Sequence, residues 1–255
     1  MKIAVIIPTY KAHKTIKNTI ASIINQIGVD FNIYLSVDGE EIGSYDYIKE
    51  FYPQVNILYS PINRGAGGAR QYGIDNTTEE FITFIDADDL YNSLSGLYSL
   101  TRYFDDTTVA VWSAFTAQND DGTFYVKKEA ITWMHGKMYR RSFLDKYGIR
   151  FNSNYTNANE DLGFNVLMVL FSNETSERIK FTNENIYIWT ANPDSIVRKN
   201  NREFALTKSA EGYIQNVIYA FDYYINIQKF EVTKVIKKFI SAALSNIFNL
   251  YYNFL

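Results

Sequence analysis

One stretch of ten residues, 81–90, constrains the fold of this chain more than any other. Its first five residues are uncharged and rich in Phe, Ile and Thr, which is typical of a strand buried on both faces of a parallel sheet. Three carboxylates follow it: Asp86, Asp88 and Asp89. Because ligands of open α/β sheets bind beyond the carboxyl ends of the strands, we expect these acids to border a ligand site.

Neighbouring carboxylates repel one another unless a cation or hydrogen-bond donors compensate their charge. A divalent metal that holds a diphosphate would do so, since Mg²⁺ and Mn²⁺ prefer hard oxygen ligands and bind carboxylates together with phosphate oxygens. The alternative is a solvated turn without a ligand, and these three residues alone favour that alternative. The remaining motifs of the chain reverse the balance.

Composition narrows the class of protein. The 255 residues are 47% hydrophobic and 21% charged, which suits one α/β domain with an appendage or two small domains. A net charge of −3 argues against a nucleic-acid surface, and the absence of cysteine excludes disulfide partners. The first apolar run is too short for a signal peptide and no uncharged stretch has membrane-span length. We therefore expect a cytoplasmic protein that is soluble or peripherally membrane-associated.

Short apolar strands alternate with amphipathic helices through the first 90 residues. We predict strands at 3–7, 31–37, 55–59 and 81–85, and helices at 14–26, 44–51 and from 63 to about 76. The segment Pro8-Thr9-Tyr10 is expected to end the first strand. This alternation predicts βαβ units, and therefore an α/β fold with a mostly parallel central sheet flanked by helices.

The second half of the chain has a less regular pattern. We predict helices at 94–104, 141–147, 159–171, 204–227 and 232–255, a strand at 109–115, and a hairpin turn at 120–122 that leads into 123–127. The expected domain boundaries are 1–199 for the main domain, with halves 1–92 and 93–199, and 200–255 for a C-terminal helical extension. The apolar stripe of the last helix suits packing against the main domain, a homodimer seam or a peripheral membrane contact.

Two loops at predicted strand ends are candidates for ligand contact. Asp38 closes the second strand, and its carboxylate suits a nucleobase N–H or ribose hydroxyls, although Asp-Gly is more commonly a plain turn. Residues 63–70 carry three glycines ahead of a helix start, which lets the backbone approach an anionic ligand closely. Arg64 and Arg70 in this loop suit a phosphate or a base. The loop matches neither the P-loop nor the dinucleotide fingerprint.

Four motifs together resemble the nucleotide-sugar half of family 2 glycosyltransferases, which are inverting enzymes with the Rossmann-like GT-A fold. They are Ile6-Ile7-Pro8-Thr9-Tyr10, Val37-Asp38-Gly39, Asn63-Arg64-Gly65 through Ala69-Arg70, and Asp86-Ala87-Asp88-Asp89. The clear match covers about the first 90 residues, and a looser one continues to about residue 198.

The resemblance implies a role for each motif. The residues that would contact the nucleotide and its sugar are Pro8, Thr9, Tyr10, Asp38, Arg64, Gly65, Arg70, Asp86 and Ala87. The nucleoside is usually uridine in this family. Asp88 would bind the Mn²⁺ or Mg²⁺ that bridges the diphosphate, with Asp86 as a second candidate ligand. Many relatives have two acids and a Ser where this chain has Asp38-Gly39-Glu40, which leaves a nucleoside contact by Glu40 open.

An acidic pair marks the acceptor half. Glu160 and Asp161 stand in the first turn of a predicted helix, where acids commonly compensate the helix dipole. The family places an acidic pair there, and one of the two would be the general base that inverting transfer needs to deprotonate the acceptor hydroxyl. We predict Asp161 as the base and Glu160 as its partner, with the reverse assignment as the alternative.

Two further pairs complete the predicted site. Trp133 and His135 are candidates for the floor of the sugar and acceptor site, since aromatic rings offer apolar faces to sugars. A lone His is, however, more often a packed or surface residue. Ser195 and Arg198 match a late Ser-Ile-x-Arg stretch of the family and would close over the diphosphate, although a solvated loop is equally consistent with them.

The leading hypothesis is a metal-assisted, inverting glycosyltransferase that moves a sugar from a UDP-sugar or similar donor to an acceptor hydroxyl. A nucleotidyltransferase is the enzyme alternative, although it would normally carry its Gly-rich loop after the first strand. A non-catalytic sugar- or nucleotide-binding module is the alternative outside catalysis. The acceptor stays open between a glycan, teichoic acid, lipid carrier, protein and modified nucleobase, because fold does not fix function.

Overall fold

The computed structural model describes residues 1–128, 131–154, 158–192 and 209–228. Its strands are β1 (Lys2–Thr9), β2 (Asp30–Asp38), β3 (Val55–Ser60), β4 (Phe81–Phe84), β5 (Leu90–Tyr91), β6 (Thr108–Gln118), β7 (Phe124–Lys127), β8 (Lys137–Arg140) and β9 (Arg178–Trp189). Its helices are α1 (Ile16–Ile24), α2 (Ile48–Phe51), α3 (Gly65–Asp75), α4 (Gly96–Thr101), α5 (Arg141–Tyr147), α6 (Glu160–Asn173) and α7 (Ala210–Gln228). The predicted helix at 232–255 and the predicted diphosphate contacts Ser195 and Arg198 lie outside the described residues.

The described strands form one nine-stranded sheet in the order β3-β2-β1-β4-β8-β6-β9-β5, with β7 paired to β6. β1 pairs in parallel with β2 and β4, and β2 pairs in parallel with β3. The βαβ units predicted for the first 90 residues are therefore confirmed. The order of strands reverses between β1 and β4, so their carboxyl ends border the position at which open α/β sheets bind ligands.

The other half of the sheet is mixed. β8 runs antiparallel to β4 and β6, β7 runs antiparallel to β6, and β5 runs antiparallel to β9, whereas β6 and β9 are parallel. The hairpin of β6 and β7 follows the predicted turn, with Gly122 at φ +84. β5, β8 and β9 have no counterpart in the sequence prediction. β9 contains Lys180, Asn183 and Glu184 and is largely half-exposed, so no apolar run marks it and its pairing with β6 decides its conformation.

β1 ends within the predicted Pro8-Thr9-Tyr10 segment, at Thr9, two residues beyond the predicted strand 3–7. Pro8 lies opposite Ser36 of β2. β4 pairs only with residues 3–6 of β1. Pro8 therefore lies where β1 is paired on one side, and an edge-like position of this kind tolerates proline.

Side chains alternate across the sheet and pack against helices on both faces. Ile3, Val5 and Ile7 of β1 belong to the core that includes α1 and α4. Ala4 and Ile6 belong to the core that includes α3, α5, α6 and α7. The molecule is therefore a three-layer α/β/α arrangement, in agreement with the predicted fold class.

The start of α7 packs against the start of α6. Asn159 Nδ2 donates to Ser209 O at 2.7 Å and to Ser209 Oγ at 3.1 Å. Asn216 Nδ2 donates to Ala158 O at 3.0 Å, and a Cβ on Gly212 would lie only 2.4 Å from Ala158 O. The two backbones can approach this closely because position 212 is glycine. Within the described ranges, none of the helices combines the length and apolar character that crossing a membrane requires.

Candidate active site

Three carboxylates from distant parts of the chain converge on Arg70 of α3. Arg70 Nη2 donates to Asp86 Oδ1 at 2.7 Å. Arg70 Nη1 donates to Glu160 Oε1 at 2.8 Å and to Asp161 Oδ1 at 2.7 Å. Asp86 follows β4, whereas Glu160 and Asp161 form the first turn of α6. Residues of the two predicted halves, 1–92 and 93–199, therefore meet at one guanidinium group.

This cluster is buried and holds more negative than positive charge. The side chain of Arg70 is 4% exposed, and those of Glu160 and Asp161 are 9% and 13% exposed. Burial, reinforced by the neighbouring Asp161, raises the pKa of Glu160 to about 8. Burial also raises the pKa of Asp161, against the opposing effect of Arg70. Burial acts in the same direction on Asp86, but Arg70 outweighs it and holds the pKa of Asp86 below its usual value. Near neutral pH, Glu160 therefore retains a proton, and burial favours the neutral form of Asp161 as well.

The local backbone at the start of α6 sets the position of the acids. Asn159 precedes the helix with φ +55, a left-handed conformation that Asn adopts more readily than most residues. Glu160 and Asp161 follow at once and reach Arg70. The second carboxylate oxygen of Asp161 accepts a hydrogen bond from Met134 N at 3.2 Å. Asp161 is therefore held from two sides, by α3 and by the loop ahead of β8.

A second group of side chains has the donor atoms for a cation. Asp86, Asp89 and His135 each place one ligand atom within 4.8 Å of the others. Two carboxylates and an imidazole suit a first-row divalent ion such as Mn²⁺, and carboxylate oxygens also suit Mg²⁺. Burial lowers the pKa of His135 to about 3, so its imidazole is neutral and retains a lone pair for a metal. The residues present therefore fit a divalent metal.

The loop that carries these acids is anchored to the segment that ends β9. Asp89 is fully buried and accepts from Tyr187 Oη at 2.6 Å and from Thr190 N at 2.8 Å. Asp88 Oδ2 accepts from Asn192 Nδ2 at 2.7 Å. Burial, with Asp88 and Asp86 adding to it, raises the pKa of Asp89 well above its usual value. Asp89 is thus a buried anchor, while Asp88 is half-buried at the rim.

Aromatic rings form one wall beside the acids. The ring centroid of His135 lies 4.7 Å from that of Tyr187 and 5.8 Å from that of Trp189. Trp133 lies 5.6 Å from Trp189, and Lys127 Nζ lies 3.5 Å from the Trp133 ring centroid. His135 is buried in this wall, whereas Trp133 is partly exposed. Trp133 is therefore the better placed of the two predicted residues for stacking on a sugar.

Comparison with known proteins assigns the family. The model of the family described as Glycosyl transferase family 2 matches residues 4–160, more than half of the chain. The chain belongs to glycosyltransferase family 2. It is 33% identical over 117 residues to the uncharacterized glycosyltransferase YibD of Escherichia coli, a match that covers 44% of this chain and 34% of YibD. It is 31% identical over 129 residues to glycosyltransferase GlyA of Streptococcus pneumoniae, a match that covers 49% of this chain and 18% of GlyA. The chain thus spans less than two thirds of the length of these relatives.

Solved structures agree with the GT-A fold of this family. S. aureus TarS, in its complex with UDP-GlcNAc, superposes with a TM-score of 0.70 at 18% identity, covering 100% of this chain and 73% of TarS. The mannosyltransferase PcManGT from Pyrobaculum calidifontis, in complex with GDP-Man and Mn²⁺, superposes with a TM-score of 0.60 at 15% identity, covering 88% of this chain and 64% of PcManGT. At these identities the likeness concerns the fold alone.

In this member of glycosyltransferase family 2, Asp38 holds the Gly-rich loop. Asp38 Oδ1 accepts from Arg64 N and Oδ2 accepts from Gly65 N, both at 2.8 Å. Gly65 adopts φ +73, and Asp38 is 2% exposed. The side chain of Arg64 points away into an exposed position, whereas Arg70 is buried. Asp38 therefore fixes the first turn of α3 whether or not it also faces a nucleoside.

The loop after β1 is fastened by a residue whose role the sequence left open. Glu40 Oε1 accepts from Lys11 N at 2.8 Å and from Tyr45 Oη at 3.0 Å. Lys11 has φ +51, and Tyr10 before it is 49% exposed. Thr9 is buried in the last position of β1. Glu40 thus shapes the backbone on which the predicted nucleoside contacts stand.

The site also contains one predicted residue, Ala87, and several residues that the sequence analysis did not single out. Ala87 is buried beside the acids, as its place in the motif suggests. Tyr187, in β9, and Thr190, just after it, contact Asp89, and the sequence analysis did not predict this strand. Lys137 and Asn165 are also fully buried behind Asp161. A lysine that follows glycine and precedes the apolar pair Met-Tyr is the one local signal that could have drawn attention to Lys137.

Proposed function

We propose that this chain transfers a sugar from a nucleotide-diphosphate donor, with UDP as the nucleotide, to an acceptor hydroxyl with inversion at the anomeric carbon and with the assistance of a divalent metal. One observation carries the proposal. Asp86, the first acid after β4, and the acidic pair of α6 meet within hydrogen-bond distance of Arg70 at the carboxyl edge of the parallel strands. This is the arrangement that a donor diphosphate and an acceptor hydroxyl would have to share.

Asp161 is the better candidate for the general base. A base has to be ionised at the working pH, and Glu160 retains its proton up to a pKa of about 8. Asp161 is also the more exposed of the two side chains, and its two oxygens are held by Arg70 and Met134 N. Glu160 then serves as a neutral partner that shares the Arg70 guanidinium. Inversion follows from a single displacement in which the acceptor oxygen attacks the face opposite the leaving diphosphate.

Mn²⁺ or Mg²⁺ would be held by carboxylates of the loop after β4. Asp88 is the proposed first ligand and Asp86 the second. The grouping of Asp86, Asp89 and His135 supports a metal site at the loop that follows β4. When bound, the metal would neutralise charge that develops on the departing diphosphate. The Mn²⁺ in the PcManGT complex supports the choice of a divalent metal.

A nucleotide-sugar donor is supported by the ligands of the solved neighbours, UDP-GlcNAc for TarS and GDP-Man for PcManGT. UDP is proposed because the motifs of residues 1–92 resemble enzymes that usually bind uridine. Within this proposal Pro8, Tyr10 and Asp38 are at the nucleoside end. Ser195 and Arg198 remain proposed contacts of the diphosphate, and Trp133 a proposed contact of the sugar or acceptor.

Calorimetric titration with UDP, GDP, CDP and UDP-sugars, in Mn²⁺ and after chelation, tests this proposal. We expect UDP to bind most tightly, with affinity falling at least about tenfold on chelation, because no cation would then compensate the negative charges of the carboxylates and the diphosphate. Asp88→Asn should remove the metal dependence, whereas Asp106→Asn, which changes an exposed acid outside the site, should not. Absence of metal-dependent binding to every nucleotide would contradict the proposal.

Turnover separates the enzyme from a binding module. A coupled assay for released nucleoside diphosphate, with water or simple sugars as acceptors, should detect slow turnover of the donor that binds. Binding without any release over many hours would support the non-catalytic alternative instead.

A further inference from the structure

We propose that Lys137 is a positioning residue for Asp161 and that it acts through the peptide group between Trp133 and Met134. The inference rests on the proposed function, in which Asp161 is the general base. It concerns a buried lysine that is linked to Asp161 through one planar peptide group of the backbone.

Both ends of this peptide group are engaged. Its carbonyl oxygen, Trp133 O, accepts hydrogen bonds from Lys137 Nζ and, at 3.1 Å, from Asn165 Nδ2. Its N–H, on Met134, donates to Asp161 Oδ2 at 3.2 Å. Because the peptide group is planar, fixing the carbonyl also fixes the direction of the N–H. A cation on the carbonyl oxygen further polarises the group and strengthens donation from its N–H, since linked hydrogen bonds reinforce one another in a buried site.

Asn165 closes this connection back onto the helix that carries Asp161. It lies four residues after Asp161 in α6, so both side chains emerge from the same face of the helix. Asn165 Oδ1 accepts from Tyr139 Oη at 2.7 Å, and its Nδ2 also donates to Ile131 O at 2.8 Å. The loop before β8 is therefore clamped between α6 and Lys137, with the Met134 N–H aimed at the carboxylate.

Lys137 occupies a position where packing alone would favour an apolar residue. It is the first residue of β8, is 2% exposed, and lies opposite Trp112 of β6, with Nζ 4.9 Å from the Trp112 ring centroid. Burying an ammonium group is unfavourable unless nearby groups compensate its charge. An isosteric Leu or Met would avoid this cost, which argues for a role of the charge.

The charges around Asp161 predict how Lys137 affects its pKa. Two positive side chains, Arg70 and Lys137, and two acidic ones, Asp86 and Glu160, interact with Asp161. Lys137 lowers the pKa of Asp161. Removing the lysine charge should therefore raise the pKa of the base, while removing its hydrogen bond should loosen the carboxylate.

Selective ¹⁵N-methionine labelling tests this without requiring activity. The chain has four methionines, Met1, Met134, Met138 and Met168, and the N-terminal one gives no amide signal, so the spectrum contains three amide signals. Met134→Leu identifies the Met134 signal. Its shift should titrate with pH in the unmodified protein, and Asp161→Asn should abolish the component that comes from Asp161.

Three variants then isolate the lysine. Lys137→Leu should move the titration midpoint of the Met134 amide to higher pH by at least about half a unit. Lys137→Gln, which keeps a donor and loses the charge, should give an intermediate amide shift with a raised midpoint. Lys180→Gln makes the same chemical change at a lysine paired with Asp105, 2.7 Å away at the surface, and should leave the signal unchanged. An unaltered Met134 titration in both Lys137 variants would overturn the proposal.

Kinetics distinguish this inference from the proposed function. With donor turnover established, Lys137→Leu should lower kcat about tenfold with a smaller change in the donor KM, because the proposed nucleotide contacts lie in the first half of the chain and the variant displaces the base. The acid limb of the pH profile should move to higher pH. A protein that shows no turnover with any nucleotide sugar would refute the proposed function, while the Met134 signal would still decide whether Lys137 positions Asp161.

Discussion

Single side chains determine the charge balance of this site. One buried guanidinium, that of Arg70, contacts Asp86, Glu160 and Asp161, each at 2.8 Å or less. Removing the cation from such a group leaves uncompensated buried charge and typically costs about 3–5 kcal/mol. Arg70 therefore holds together two segments of the chain: the loop with Asp86, 16 residues after Arg70, and the start of α6 with Glu160, 90 residues after it. This structural part adds to the nucleotide contact expected for Arg70.

The matched pair Asp161→Asn and Glu160→Gln tests which acid is the base. Asp161→Asn should lower transfer by about 10²–10⁴-fold, the usual contribution of a general base, while donor affinity stays within about twofold. Glu160→Gln mimics the protonated form that predominates below the pKa of about 8, so at pH 6.5 its rate should stay within about tenfold of the unmodified enzyme. Initial rates with the best donor check both. A greater loss in Glu160→Gln than in Asp161→Asn would reverse the assignment.

The same pair carries a pH dependence of stability. The pKa of Glu160 is raised in the folded state from 4.5 to about 8, so the folded protein binds more protons than the unfolded chain between these values. Its contribution to stability is therefore fully present below pH 4.5 and is lost as the pH rises through 8. Glu160→Gln lacks this loss, and urea unfolding should show its stability gaining on that of the unmodified protein from pH 5 to pH 8.

Among the elements, α3 depends on a residue outside the helix. Asp38 at the end of β2 accepts from the first two backbone N–H groups of the Arg64-Gly65 turn. Asn63 Nδ2 donates back to Asp38 O at 3.2 Å. The end of β2 and the start of α3 are thus joined by side-chain bonds on both sides, which positions Arg70 within the helix.

Asp38→Ala should therefore destabilise the fold as well as the proposed nucleoside contact. Loss of a capping side chain costs about 0.5–2 kcal/mol, and burial of this carboxylate places the expected loss toward the upper end. Asp38→Asn retains one acceptor oxygen and should lose less. Urea unfolding without ligand checks the order. Equal stability of all three proteins, with donor affinity alone reduced, would show that Asp38 acts only through the nucleoside.

How far the sequence predicts these elements depends on where their contacts lie. The helix at 141–147 matches α5, and the four strands of the first half match β1 to β4 within a few residues, because local apolar patterns specify them. β8 and β9 depend on pairing with β6, which lies far away in the chain, and their polar residues hide them. The meeting of Arg70 with Glu160 is likewise a product of tertiary packing. Family resemblance could nominate both residues, but no local pattern could pair them.

In the molecule as a whole, the acidic pair lies at a junction of three segments. Asp161 is bonded to α3 and to the loop before β8, and Asn159 ahead of it is bonded to Ser209 at the start of α7. The C-terminal segment is therefore fastened within two residues of the proposed base. α7 packs against α6, and its residues Tyr213 and Tyr224 belong to the same hydrophobic core as the buried face of α6.

Asn159→Gly and Asn159→Ala separate the backbone and side-chain contributions to this junction. Both remove the bonds to Ser209, but only Ala has to be forced into φ +55, which costs about 1–2 kcal/mol. Asn159→Gly should therefore be less destabilised than Asn159→Ala by about 1 kcal/mol in urea unfolding. Each should also lower transfer, because the start of α6 is loosened. Equal stability of the two variants would contradict the strain assigned to this position.

The close approach of Gly212 to Ala158 has a consequence for how such chains can recombine. Relatives that exchange the segment containing α7 by crossover would bring a foreign residue at position 212 against the backbone just ahead of the proposed catalytic pair, where even a methyl group has no room. A functional chimera would therefore need its junction upstream of residue 158, so that α6 and α7 are inherited together. In this architecture α7 and the proposed base would have to be inherited together, although about fifty residues separate Ala158 from Gly212 in the chain.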